Sequence, residues 1–223
     1  MFEPRTGLVV ALDVGPRRAV ELASDLDGIV DGVKVGYEVV LGGGLEALAE
    51  VANVVSESFV LVDLKTADIP YVSASIAEGL KEAGADAMIV HGFVGRDTVE
   101  ACAGVLPTVV VATMSHEGAK MFYDGVKLEV VRMCEDIEGV VGFVAPATRP
   151  SVLREVVEAT DKPVFSPGVG AQGAEPGSAI AVGASFEIVG RLIIRADDPV
   201  TAAKELVDVL GEAMRSSRPS DPG

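Results

Sequence analysis

The chain alternates between short apolar runs and longer segments in which apolar residues recur every three or four positions. This alternation occurs eight times, and each unit reads as a buried strand followed by a helix with one apolar face. The predicted strands are Leu8 to Leu12, Gly32 to Gly36, Phe59 to Asp63, Ala87 to His91, Thr108 to Thr113, Val140 to Ala145, Val164 to Ser166 and Phe186 to Val189. The predicted helices span about 16–26, 45–54, 70–83, 95–104, 127–137, 150–160, 177–183 and 199–214.

Eight strand–helix units with unbroken apolar strands predict an α/β protein in which a parallel (β/α)8 TIM barrel covers both strand faces. An open, doubly wound sheet is the structural alternative. No Pro/Ser-rich or charged linker divides the sequence, so we predict one domain over residues 1–214. Residues 215–223 are polar and Pro-rich, and we expect them to be an unstructured tail.

The net charge of the chain argues against some classes of binding partner. It carries 34 acidic and 18 basic residues, a net charge of −16, which argues against binding to nucleic acid or to an anionic membrane surface. An anionic ligand would therefore need cations placed locally. The longest apolar runs are too short for a membrane span and the start lacks a signal-peptide pattern, so we expect a cytoplasmic protein. Cys102 and Cys134 are not in CxxC spacing, which makes a disulfide framework or zinc site improbable.

Polar residues follow almost every predicted strand, where a barrel places its active site. The third strand ends in Asp63-Leu64-Lys65, and because side chains alternate along a strand, Asp63 and Lys65 would share a face if the chain stays extended. A lone buried charge is costly, so the two would either face solvent or form a paired polar cluster. The other candidates at strand ends are Asp13, Lys34, His91, Thr113, Ser115, Thr148, Arg149, Ser166 to Gln172, Gly190 and Arg191.

Two of these segments indicate an anion site. The run from Ser166 to Gly173 contains Pro167, Gly168, Gly170 and Gln172, and its glycines allow the backbone N–H groups to approach a ligand closely. Gly190-Arg191 adds a permanent cation after the eighth strand, and barrels often hold phosphate in the loops after strands seven and eight. A dinucleotide site is less consistent with the sequence, because no Rossmann unit surrounds this glycine run.

The stretch Asp63-Leu64-Lys65-Thr66-Ala67-Asp68-Ile69-Pro70 resembles the DxKxxDIP signature of the orotidine 5′-monophosphate decarboxylase family, in its compact archaeal form. The related 3-hexulose-6-phosphate synthases share DxKxxD, but the Asp68-Ile69-Pro70 continuation favours the decarboxylases. The resemblance extends in order through nearly all eight units: Leu12-Asp13, Val33 to Gly36, Ile89 to Gly92, Met114 to His116, Ala147 to Pro150, Ser166 to Gly173 and Ile188 to Arg191.

The resemblance implies conversion of orotidine 5′-monophosphate to UMP and carbon dioxide without a cofactor or metal, by a homodimer. Asp63 would lie near the substrate carboxylate and Lys65 would protonate C6. Asp68 and Ile69 would reach the partner subunit's site. The remaining implied roles are ribose binding by Asp13 and Lys34, pyrimidine binding by Ser115, base and phosphate binding by Gln172, and phosphate binding by Arg191 with nearby backbone N–H groups. Pro167, Gly168, Gly170 and Gly190 are the other implied substrate-binding residues.

The sequence departs from the family at Val72, where a threonine near the partner's ribose is usual, and in the apolar run Leu192 to Ile194. Independently of the resemblance, two carboxylates near Lys65 would favour its charged form, which suits a proton donor better than a Schiff-base nucleophile. His91 and His116 fit ordinary hydrogen-bonded histidines better than groups that transfer a proton directly. Thr148-Arg149-Pro150 fits a helix cap as well as a substrate loop.

Two other functions remain open from sequence. A sugar-phosphate lyase or isomerase on the same scaffold would retain Asp63, Lys65 and the phosphate loop but would need a divalent metal. A non-catalytic nucleotide-phosphate binder would bind UMP without turning over orotidylate, although the set Asp63, Lys65 and Asp68 argues against it.

Overall fold

A computed structural model of the protein describes residues 2–217. Eight parallel strands pair in chain order, and β8 pairs with β1 to close the sheet into a barrel. The predicted (β/α)8 fold is therefore confirmed. The strands are β1 (Leu8–Ala11), β2 (Gly32–Val35), β3 (Phe59–Thr66), β4 (Ala87–His91), β5 (Thr108–Val111), β6 (Val140–Val144), β7 (Val164–Pro167) and β8 (Phe186–Val189).

Helices follow every strand and cover the outside of the barrel. They are α1 (Pro16–Leu26), α2 (Tyr37–Val54), α3 (Pro70–Glu82), α4 (Arg96–Ala103), α5 (Tyr123–Cys134), α6 (Pro150–Val157), α7 (Ser178–Val182), α8 (Arg191–Ile194) and α9 (Pro199–Ser217). Two 3₁₀ turns, Gly92–Val94 and Glu117–Met121, precede α4 and α5. None of the helices in residues 2–217 is both long and apolar enough to cross a membrane.

The buried hydrophobic side chains form two clusters, one on each face of the strands. One set packs outward under the helices, and the other fills the barrel, as the two-residue period of a strand requires. Phe59, Phe165 and Phe186 occupy the interior, where the rings of Phe165 and Phe186 stack with centroids 4.6 Å apart. Phe2 adds an edge contact to Phe59 at 4.9 Å. These aromatic side chains come from the first or second residue of their strands or from the N-terminal segment, so they fill the end of the barrel opposite the strands' carboxyl ends.

The largest error in the predicted elements is the start of α2. The helix predicted from about Leu45 corresponds to the part of α2 that follows Gly44, but the helical segment that begins at Tyr37 and ends before Gly44 was not predicted. Glycine is a poor helix former, so the three glycines Gly42, Gly43 and Gly44 suppressed the signal. Gly44 has φ 70° and ψ −165°, which kinks the helix. Packing of α2 against the barrel overrides the poor local propensity.

Three smaller differences concern helix ends. Helix α5 spans Tyr123–Cys134, four residues earlier than predicted at its start, and α8 was not predicted because four residues show no period. Helix α9 continues through Ser217, so residues 215–217, expected in the tail, are helical. A basic residue, Arg215, in the last turn of α9 favours this extension through the helix dipole. The rest of the predicted tail, 218–223, lies outside the described residues.

Candidate active site

The barrel opens at the carboxyl ends of its strands into a cavity of about 370 Å³. The walls come from the ends of β1, β2, β3, β7 and β8 and from the segments that follow them. The candidate site residues that line this cavity are Asp13, Lys34, Asp63, Lys65, Pro167, Gly168, Gln172, Gly190 and Arg191. Residues far apart in sequence therefore converge because parallel strands end at the same rim.

Four of these side chains form a row of alternating charge. The Lys34 ammonium lies 3.4 Å from Asp13 Oδ1 and 3.2 Å from Asp63 Oδ2. The Lys65 ammonium donates to both carboxylate oxygens of Asp63 at 2.8 Å. Asp63 and Lys34 are only 7% and 8% exposed. Each buried charge thus faces an opposite one, which offsets the desolvation that burial imposes.

The row keeps its two buried members, Asp63 and Lys34, ionised. Burial disfavours the charged form of Asp63, but the ammonium groups of Lys34 and Lys65 outweigh burial and lower the pKa of this carboxyl below its usual 3.8. Burial also disfavours the charged form of Lys34, yet Asp63 and Asp13 raise the pKa of this amine above its usual value. Both groups are therefore charged at neutral pH, and Asp63 is fixed as an acceptor for two cations.

Lys65 meets Asp63 through an irregular backbone. Strand β3 extends to Thr66, but its register with β4 shifts between Val62 and Thr66, so the chain bulges where Lys65 lies. Lys65 has φ 45°, in the left-handed region, which costs a non-glycine residue about 1–2 kcal/mol. The predicted shared face of Asp63 and Lys65 assumed an extended strand. The two side chains do meet, but a strained turn brings them together.

The opposite side of the cavity is built from loops. Gly168 and Gly170 have φ 110° and 73°, conformations that glycine adopts without a Cβ penalty. The Gly170 N–H donates to the Ala174 carbonyl at 2.7 Å, so the loop after β7 folds back on itself. Arg191 is the first residue of α8 and is exposed at the rim. Lys34, Lys65 and Arg191 thus place three cations around one cavity in a chain of net charge −16.

The family model described as "Orotidine 5'-phosphate decarboxylase / HUMPS family" matches residues 6–206. The chain belongs to this family. The match covers all eight strands and the whole cavity, so the family resemblance inferred from the sequence is confirmed.

Individual members of the family support the assignment. The chain is 39% identical to the orotidine 5'-phosphate decarboxylase of Methanosarcina barkeri, with 92% of this chain and 95% of the relative aligned. It is 40% identical to that of Thermococcus kodakarensis, with 93% and 98% aligned. Among solved structures, the Methanocaldococcus jannaschii enzyme complexed with the inhibitor BMP superposes with a TM-score of 0.85 and 36% identity, covering 93% of this chain and 99% of that one.

Four of the residues to which the family resemblance assigns a role, all within the described part of the chain, do not line the cavity: Asp68, Ile69, Ser115 and Gly170. Five other candidates at strand ends do not line it either: His91, Thr113, Thr148, Arg149 and Ser166. Asp68 and Ile69 lie at the surface before α3, and the Ile69 side chain is 63% exposed. Ser115 lies between β5 and the second 3₁₀ turn. A Cβ on Gly170 would lie 2.3 Å from Leu192 Cδ1, so this glycine lets the loop after β7 pack against α8.

The structure also gives partners to two residues interpreted in the sequence. His91 Nδ1 is hydrogen-bonded to the Tyr123 hydroxyl at 2.7 Å. Burial, with a smaller contribution from the Lys65 cation, lowers the pKa of His91 to about 4. His91 is therefore neutral at pH 7. Arg149 donates to Asp124 at 2.5 Å, so its guanidinium ties the start of α6 to α5.

Sequence reasoning missed the residues at the start of α2. Gly36, Tyr37 and Glu38 line the cavity, and the Tyr37 hydroxyl donates to the Leu64 carbonyl. A Cβ on Gly36 would lie 3.3 Å from Asp13 Oδ1 and 3.4 Å from Lys34 Nζ, so glycine leaves room for the charged row. The Val33-Lys34-Val35-Gly36 segment was noted, but the late predicted start of α2 hid the residues that follow it.

Proposed function

We propose that this chain decarboxylates orotidine 5′-monophosphate to UMP and carbon dioxide in pyrimidine biosynthesis, with Lys65 delivering a proton to C6. The observation that carries the proposal is the pairing of the Lys65 ammonium with Asp63 at 2.8 Å inside the cavity. An ammonium held by a permanent carboxylate is a proton donor, whereas Schiff-base chemistry needs the free amine.

Asp63 gives the cavity a preference for the transition state over the substrate. Its carboxylate is ionised, so it repels the substrate carboxylate until that group leaves as neutral carbon dioxide. The Lys65 ammonium attracts the negative charge that develops at C6 at the same time. The two effects act in one direction, because only interactions that differ between ground and transition states raise the chemical rate. Proton transfer from a positioned acid contributes about 10²–10⁴-fold in typical enzymes.

The remaining roles are those that the family resemblance implies. Arg191 and the backbone N–H groups of Gly168 and Gly190 would bind the phosphate, with Gln172 between phosphate and base. Asp13 and Lys34 would bind ribose hydroxyls from the other side of the row, next to Asp63. Ser115 would reach the pyrimidine if the segment after β5 moves toward the cavity, and loop closure of this kind accompanies substrate binding in many enzymes.

We further propose that two copies of the chain form a dimer in which Asp68 and Ile69 contribute to the partner's cavity. Support comes from their position: the two residues precede α3 at the surface, and Ile69 exposes a large apolar side chain to solvent. The Asp68 side chain accepts the Ile69 N–H at 2.7 Å, which holds this surface turn in one shape. Sedimentation of the purified chain would give a dimer mass, and Asp68→Ala would lower turnover without dissociating it.

The experiment that tests the activity mixes the purified chain with orotidine 5′-monophosphate in EDTA and follows the loss of the substrate's ultraviolet absorbance. We expect full turnover in the chelator, with UMP as the product. Binding of UMP without loss of orotidylate would identify a non-catalytic nucleotide-phosphate binder. Turnover of a sugar phosphate that EDTA abolishes would identify a metal-dependent lyase or isomerase. The engagement of Asp63 by two ammonium groups favours the first outcome, since a metal would compete with both lysines for this carboxylate.

A further inference from the structure

The backbone at Lys65 is strained in a way that its own strand does not explain. Lys65 is the one non-glycine residue in the described part of the chain with a positive φ. Strand β3 pairs Val62 with Met88 and next pairs Thr66 with Val90, so the intervening residues arch away from the regular ladder with β4. A conformation that costs about 1–2 kcal/mol persists only where its surroundings hold it.

The torsion φ of Lys65 and the direction of the Leu64 carbonyl are geometrically coupled. Because the peptide bond is planar, the carbonyl of Leu64 and the N–H of Lys65 lie in one rigid plane. Rotation about the N–Cα bond of Lys65 is φ, so a group that fixes the Leu64 carbonyl also restricts φ at Lys65. It thereby restricts the direction in which the Lys65 side chain leaves the backbone.

Tyr37 supplies such a group. Its hydroxyl donates to the Leu64 carbonyl, across 27 residues of sequence. Tyr37 is the first residue of α2, directly after the Gly36 N-cap, and Val40 N–H donates to the Gly36 carbonyl at 3.3 Å. The tyrosine is therefore fixed by a helix start that follows β2, and it lines the cavity that contains Lys65.

We propose that Tyr37 is a positioning residue for proton transfer by Lys65, because its hydroxyl holds the Leu64–Lys65 peptide in the left-handed geometry that aims the ammonium at Asp63 and the cavity. The inference rests on the proposed function of Lys65. It assigns a role to a side chain that is 53% exposed and that does not itself exchange a proton with the substrate. Loss of the hydroxyl would let the peptide relax and would misplace the ammonium, and small misplacements of catalytic groups cost rate more than binding.

The test compares Tyr37→Phe, which keeps the ring and removes the hydroxyl, with Tyr71→Phe, a matched change at a tyrosine that is 83% exposed. We expect Tyr37→Phe to lower kcat about tenfold, with KM and the Kd of UMP changed less than threefold, and Tyr71→Phe to leave all three values unchanged. A rise in KM at unchanged kcat would overturn the inference in favour of direct substrate contact. An unchanged kcat, or a parallel loss of UMP binding and melting temperature, would also overturn it.

A double-mutant cycle separates this inference from the function on which it rests. If Tyr37 acts through Lys65, Tyr37→Phe lowers kcat about tenfold in the wild type and has no further effect on the residual activity of Lys65→Ala. An equal loss in both backgrounds would overturn the positioning role while leaving Lys65 as the donor. Near-normal turnover by Lys65→Ala itself would instead reject the proposed function, whatever the result for Tyr37.

Discussion

The two sides of the cavity are built in different ways. The side formed by β1, β2 and β3 carries Asp13, Lys34, Asp63 and Lys65, whose charges contact one another in a row. Its central members, Lys34 and Asp63, are almost fully buried on strands. The side formed after β7 and β8 carries glycines of positive φ and the exposed Arg191. One side is fixed by the barrel, and the other consists of loops, of which the one after β7 hydrogen-bonds to itself and packs against α8.

This difference matches two different chemical tasks. A group that moves a proton must be held within a few tenths of an ångström, and paired charges on strands provide that rigidity. A phosphate can be held by N–H groups and a guanidinium that adjust around it, so loops suffice. We therefore expect changes to the Asp63–Lys65 pair on the strand side to lower kcat and changes on the loop side to raise KM.

Asp63→Asn should have the largest effect among the supporting residues. It leaves Lys34 and Lys65 without the carboxylate that both contact, and unpairing a buried charge costs about 3–5 kcal/mol. Since the pKa of Asp63 is lowered in the folded protein, its contribution to stability is present at pH 7 and is lost only as the pH falls below 3.8. We predict a drop of about 3 kcal/mol in the free energy of unfolding at pH 7. We also predict that kcat falls by a factor of at least about 10².

Asp13→Asn is the matched control for this change. The Asp13 side chain is 53% exposed and contacts Lys34 at 3.4 Å, so its loss leaves Lys34 paired with Asp63. Denaturant titration at pH 7 should show a loss below about 1 kcal/mol for Asp13→Asn. Equal losses for the two variants would mean that burial does not distinguish the members of the charged row.

Arg191→Ala should have an intermediate effect, and it should act mainly on KM and not on kcat. A charge-assisted hydrogen bond to phosphate contributes about 1.5–3 kcal/mol, so kcat/KM should fall roughly 10- to 150-fold, mostly through KM. Arg195→Ala is the control, because Arg195 is exposed four residues further on and does not line the cavity. A loss confined to kcat would contradict the division of tasks between the two sides.

The strands and helices of the barrel were easier to predict from sequence than the contacts between their side chains. Helix α1 and strands β4 and β8 have the predicted bounds, because their apolar patterns are clear and Pro16 or Gly190 marks a boundary. The ends of the strands then placed most of the site residues at one rim. The contact of Lys34 with Asp63 was not predicted, since it depends on the register that pairs Lys34 with Leu61. Register between strands is set by packing of the whole barrel.

Other features of the site could not be read from local sequence at all. The left-handed conformation of Lys65 violates the usual preference of a non-glycine residue, and nothing in Asp63-Leu64-Lys65 signals it. The role of Tyr37 depends on a helix start that three glycines concealed. Both features are imposed by contacts between segments distant in sequence, and functional sites are where such conflicts between local preference and the whole fold are expected.

The smallest predicted effect is that of a change at His91, the last residue of β4, which is the strand next to β3. Because the pKa of His91 is lowered from 6.5 to about 4, the folded protein favours the neutral ring, and its contribution to stability is lost as the pH falls from 6.5 toward 4. With allowance for the partial exposure of His91, the loss should be about 1 kcal/mol. His91→Gln should therefore have a flatter stability profile than the wild type between pH 7 and pH 4.5 in denaturant titrations. Parallel profiles would contradict the assignment of a neutral histidine beside Lys65.

The most direct test of Lys65 as the proton donor is the kinetics of Lys65→Ala with orotidine 5′-monophosphate, together with the affinity of this variant for UMP. We predict that kcat falls at least about 10³-fold while the Kd of UMP changes only a few-fold, since Arg191 and the loops after β7 and β8 are intact. A purified, folded variant that retains kcat within tenfold of the wild type would contradict the assignment of Lys65 as the proton donor.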